Sequence, residues 1–83
     1  MHEHGLMTKL LGTARAEAER RGGKLRKVQV RLGAMASSDP DHFRSDFEHV
    51  RDELGLPGVG LEIEHAPDHP AGVEILSIEV GDR

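Results

Sequence analysis

The chain opens Met1-His2-Glu3-His4, and these are the residues whose types and spacing best suit chemistry. A free α-amine, the backbone nitrogens that follow and the His2 imidazole can close small chelate rings around one metal ion. Nitrogen donors in a plane suit Ni²⁺ or Cu²⁺ far better than Zn²⁺ or Mg²⁺. Deprotonation of backbone amides makes such binding strongly pH-dependent. A start methionine before a bulky histidine is normally retained, so His2 is expected to stand second in the mature chain. One residue added in front of Met1 would abolish the geometry. On this reading the ligands are the Met1 amine, His2 and the Glu3 backbone nitrogen, and His4 is either an extra donor or a solvated residue at the start of a helix. A solvated terminus with no ligand role is the competing account.

Other candidates are weaker. Asp39 stands before Pro40, where an aspartate caps a helix and can also orient a neighbouring histidine. His65 and His69 bracket Ala66, Pro67 and Asp68, so His65, Asp68 and His69 form a possible second metal site. A helical His-x-x-x-His pair suits zinc, but Pro67 and Pro70 argue against a helix, and a polar loop explains the segment more simply. His42 and His49 are expected on a solvated helix face. The cationic run Arg20, Arg21, Lys24, Arg26 and Lys27 reads as a helix end and strand edge, or as a dock for an acidic partner. No serine sits in a nucleophile elbow and no glycine-rich phosphate loop follows a strand, so no enzyme is expected.

Composition narrows the classes further. The chain of 83 residues contains no cysteine, which excludes disulfides, thiolate nucleophiles and thiolate zinc sites. A net charge of −4 and only two aromatic residues, Phe43 and Phe47, lack the basic surplus and stacking rings of nucleic-acid binders. No apolar run approaches the ~20 residues of a membrane span, and no signal peptide is visible, so the cytoplasm is the expected location.

The elements that must position these residues follow from periodicity. Leu6, Leu10, Ala14 and Ala18, with Met7 and Leu11 beside them, predict a helix from about Gly5 to Arg21, stopped by Gly22 and Gly23. Val28, Val30 and Leu32 alternate with Lys27, Gln29 and Arg31, a half-buried strand closed by Gly33. Ser37, Ser38 and Asp39 offer caps for a second helix carrying Phe43, Phe47, Val50 and Leu54, ended by Gly55 and Pro57. Val59, Leu61 and Ile63 predict a second strand, and a loop from His65 to Gly72 leads into a third, Val73 to Val80. There Leu76, Ile78 and Val80 share one face, while Val73 and Ile75 have the other parity, so a bulge or a switch of face is expected near Ile75. The fold class is α+β: one domain, two layers, a three-stranded sheet with two helices on one face, in the order α-β-α-β-β. Strand one is basic outward and the others acidic, so strand one should lie beside an acidic neighbour.

A Met1-His2-Glu3 opening to an amphipathic helix resembles the HypA/HybF family, whose N-terminal motif holds nickel. The resemblance continues through Val28-Gln29-Val30-Arg31-Leu32-Gly33, Asp39, Phe43 and Asp46-Phe47-Glu48. It resumes at Gly60-Leu61-Glu62-Ile63-Glu64 and at Glu74-Ile75-Leu76-Ser77-Ile78-Glu79-Val80, in the family's order. The resemblance favours the ligand role for Met1, His2 and Glu3, and aligns Asp39 with an acidic residue near the nickel motif. It implies a metallochaperone carrying Ni²⁺ for [NiFe]-hydrogenase maturation, with a nickel-loading GTPase and the hydrogenase large subunit as partners. One departure is large: the family's zinc domain, with paired Cys-x-x-Cys motifs, is here the loop 65–72, so no zinc is expected. That departure keeps a rival open, an interaction subunit that docks to hydrogenase or its maturation factors without carrying metal.

Overall fold

The computed structural model describes residues 3–36 and 39–82, without the side chains of Glu3 and His4. The element order is α1 (Glu3–Arg20), β1 (Lys24–Leu32), α2 (Pro40–Glu53), β2 (Gly60–His65) and β3 (Val73–Gly81). Both helices stop by the same device. After α1, Gly23 N–H donates to Ala18 O at 3.1 Å and Gly22 N–H to Glu19 O at 2.9 Å, with Gly22 at φ 80°. After α2, Leu56 N–H donates to Arg51 O at 3.0 Å and Gly55 N–H to Asp52 O at 3.1 Å, with Gly55 at φ 72°. A left-handed residue is needed to fold these two donors back onto the last turn, and glycine takes it without a Cβ clash. α2 starts as expected: the Asp39 carboxylate accepts from His42 N–H at 2.8 Å and Pro40 follows. Ser37 and Ser38, the other possible caps, lie outside the described residues.

The sheet order is β2-β1-β3, with β2 parallel and β3 antiparallel to the central strand. Val28, Val30 and Leu32 point to one face and are buried, packed with Phe43, Phe47 and Val50 of α2 and with α1 in a single core. Both helices therefore cover one face, in two layers.

The stripe on α1 is rotated from the one the spacing predicts. Met7, Leu10, Leu11, Ala14 and Ala18 are buried, whereas Leu6 is 47% exposed. Leu6 and Met7 lie ~100° apart on a helix, so only one of them can face the core centre, and the set 7-10-11-14-18 fits one face better.

The expected bulge in β3 is present. Ile75 lies opposite Val30 and Ser77 opposite Gln29, so Leu76 is the extra residue. Val73, Ile75, Ile78 and Val80 thereby all oppose buried positions of β1. Leu76, expected to share the covered face with Ile78 and Val80, is the inserted residue and is 36% exposed. β1 carries a second bulge, at Arg26, between Leu25 opposite Val80 and Lys27 opposite Glu79.

Candidate metal centre

The topology gathers three distant parts of the chain at one end of the sheet. Leu32, the last residue of β1, lies opposite His65 at the end of β2 and opposite Val73 at the start of β3. Leu6 and Leu10 of α1 line a shallow groove with Val73 and Ile75, while Glu17 and Arg21 lie farther along with Ile78. α1 thus runs antiparallel to β1 and begins at this end. In α2, Arg44 donates to Leu61 O at 3.2 Å and Arg51 to Val59 O at 3.3 Å, so α2 runs antiparallel to β2 and also begins here. The first turn of α1, the Asp39 cap of α2 and the loop after His65 therefore all lie at the same end of the sheet.

Two helix N-termini make this end electropositive. α2 answers with Asp39 and Asp41 in and before its first turn. Asp39 is exposed; one carboxylate oxygen holds the cap, and the other makes no hydrogen bond among the described residues. A capping carboxylate with a free oxygen can receive an imidazole N–H or help neutralise a bound cation. Met1 and His2 lie outside the described residues, as do the side chains of Glu3 and His4; the backbone of Glu3 and His4 forms the start of α1.

The loop after β2 has a different occupation. His69 Nε2 sits 3.1 Å from Glu74 Oε1 and 3.4 Å from Arg31 Nη1. A guanidinium this close opposes a further cation on the same imidazole. Among the described residues no three or more His, Asp or Glu side chains converge as a group able to hold a metal ion, and His65, Asp68 and His69 are not brought together as one. His42 and His49 lie on the solvated face of α2, with Asp46 Oδ2 at 3.8 Å and Glu53 Oε2 at 3.3 Å respectively.

The loop's backbone does structural work instead. Gly33 N–H donates to Gly72 O at 2.9 Å, Ala34 N–H to His69 O at 2.7 Å and Met35 N–H to Ala71 O at 2.9 Å. A Cβ on Gly33 would lie 2.3 Å from Ala71 O, so the two chains approach this closely only because residue 33 is glycine. These bonds hold the segment leading to Asp39 against the loop leading to β3. In the sequence Gly33 marks only a strand end; the stitching it permits has no local signal, since its partners lie nearly forty residues away.

Comparisons with known proteins agree with this architecture. The solution structure of the Ni metallochaperone HypA from Helicobacter pylori superposes with a TM-score of 0.79 at 20% identity, over 100% of both chains. A second solution structure of a HypA protein superposes with a TM-score of 0.75 at 20% identity, over 100% of this chain and 98% of the other. At that identity these likenesses speak for the fold. A search of curated proteins gives no match. The family model for HypA, described as hydrogenase/urease nickel incorporation, metallochaperone, matches residues 1–70, from the terminal motif to the loop before β3. The chain belongs to the HypA family of nickel-incorporation metallochaperones.

Proposed function

We propose that this chain binds one Ni²⁺ through the Met1 amine, His2 and the Glu3 backbone nitrogen, and hands it to a partner in hydrogenase maturation. The observation that carries the reading is that the family match begins at residue 1 and so includes the Met-His-Glu motif itself. The fold is consistent with it, because α1 begins at Glu3 at the same end of the sheet as the Asp39 cap, whose second carboxylate oxygen could serve the bound ion or a ligand's N–H. Asp39 is an auxiliary group here, and His4 an additional donor. A terminal site of this kind is open to ligand exchange, so transfer to a nickel-loading GTPase or to the hydrogenase large subunit proceeds by docking and substitution of one ligand at a time. The chain has no cysteine for a thiolate zinc lobe, and the loop 65–72 closes the domain in its place. Nickel is the cargo, and the protein performs no bond-making chemistry on it.

The test is calorimetric titration of untagged protein, Met1 exposed, with Ni²⁺ at about pH 8 and about pH 6.5, where the amine and imidazole change state. One site is expected, weaker at the lower pH and lost in His2→Ala or when one residue precedes Met1, with the melting temperature unchanged. Equal affinity in His2→Ala would overturn the terminal mechanism and favour the interaction-subunit reading.

A further inference from the structure

The opposite end of the sheet carries a feature that nickel binding does not use. Lys24 and Arg26 of β1, the turn at 57–59 and Asp82 enclose a notch of about 330 Å³. We propose that this notch docks carboxylate side chains of an acidic segment on a partner protein.

Arg26 is positioned there by two independent features. It is the extra residue of the β1 bulge, and a bulge re-aims the side chain it inserts. Its stem then lies across Gly81, where a Cβ would stand 2.3 Å from Arg26 Nε and 2.9 Å from Cγ. The guanidinium is therefore laid into a bed that any other residue at 81 would fill. Leu25, buried beneath it, fixes the strand on the core side.

Charge distribution singles out the same spot. The chain has 15 acidic and 11 basic residues, and most cations are committed to acids. Arg20 and Arg21 both bind Glu17 and hold its carboxyl below the ordinary value, Lys27 pairs with Glu62, and Arg31 pairs with Glu64 and Glu74. Lys24 and Arg26, like the separate Lys9 and Arg44, are exposed with no described carboxylate within ion-pair distance, but Lys24 and Arg26 line one notch together. Two adjacent unpaired cations, one of them a guanidinium fork, suit carboxylates presented side by side.

The notch favours a carboxylate over a phosphate. Phosphate sites gather several backbone N–H groups on one anion. In the turn here the Val59 N–H is spent on Leu56 O at 3.3 Å, and Asp82 stands at the rim, which disfavours a dianion more than a monoanion. Gly58, at φ 94°, leaves the wall without a side chain, so an extended peptide can pass along it.

The site lies at the start of β1, about eight residue steps, or roughly 26 Å, from the Leu32 end. A partner held here leaves the terminal motif uncovered; that consequence alone rests on the proposed nickel site.

The test is an amide-resolved NMR titration of the whole chain with a hexaglutamate peptide, without nickel, so its outcome is independent of metal binding. Saturable shifts are expected at Lys24, Leu25, Arg26, Gly58 and Val59. Arg26→Ala should weaken the peptide at least about fivefold, the loss of roughly one charge-assisted bond. Gly81→Ala, which keeps every charge and fills the bed under Arg26, should weaken it in the same direction. Lys9→Ala, removing an equal charge elsewhere, should leave it unchanged. Shifts spread evenly over Lys9 and Arg44, or full affinity in Arg26→Ala with a native spectrum, would overturn the proposal. Inorganic phosphate binding the same amides as tightly as the peptide would overturn the carboxylate assignment.

Discussion

The two faces of the sheet are made from the same three strands and held by different forces. On the covered face Val28, Val30 and Leu32 are at most 1% exposed beneath Phe47 and Leu11. On the open face the central strand presents Lys27, Gln29 and Arg31 between two acidic strands. Arg31 Nε lies 3.1 Å from Glu64 and Nη1 3.3 Å from Glu74, Lys27 Nζ lies 3.7 Å from Glu62, and Ser77 donates to Gln29 at 2.9 Å. Burial is nearly indifferent to which apolar strand stands beside which, whereas charge is not. Placing β2 beside β3 would set Glu62 and Glu64 against Glu74 and Glu79, so only the basic strand in the middle satisfies both neighbours. The covered face supplies the stability of a small domain, and the open face selects its strand order.

The sharpest way to break this division is to truncate the covered face at its centre. Phe47 is fully buried, so Phe47→Ala should cost about 3–5 kcal/mol in urea unfolding. That is a large part of the total for a chain this size, roughly 4–12 kcal/mol. Ile75 faces the same way but sits at the edge, 37% exposed beside the β3 bulge, so Ile75→Ala should cost about 1 kcal/mol. If the two cost the same, the sheet edge is packed as tightly as its centre and the gradient across the covered face is absent.

Much of this was legible in the residues, for reasons that differ by element. α2 was clear because its caps, its Phe43-Phe47-Val50 stripe and its terminating Gly55 all agree. The β3 bulge was legible because Val73 and Ile75 have the wrong parity to share a face with Ile78 and Val80. The β1 bulge carried the same signal in Leu25, three residues before Val28, but the charged residues around it mask the break, and the strand read as starting at Lys27. α1 was ambiguous because Leu6, Met7, Leu10 and Leu11 give two overlapping stripes, and only the docking of the helix on β1 and β3 decides that Met7 is inside and Leu6 outside. At the metal end, residue chemistry could nominate Met1, His2 and Glu3, and the Asp39 cap stands as expected. That the start of α1, Asp39 and the loop after His65 share one end is a property of parallel β1–β2 pairing, which no local pattern reveals.

The open face gives the smallest effect and the finest test. Arg31 is 29% exposed and its two acidic partners more so, which puts Arg31→Met at about 0–1 kcal/mol, since exposed pairs gain little over their hydrated states. Raising salt to about 1 M should bring the parent protein towards the variant, because screening removes the same interaction. Arg31→Glu should cost more than Arg31→Met, as it sets a third acid between Glu64 and Glu74 and makes the central position repulsive. An Arg31→Met loss as large as that of Phe47→Ala, and insensitive to salt, would mean that the open face carries stability through packing of the Arg31 stem. The division between a face that stabilises and a face that selects would then fail at its most central residue.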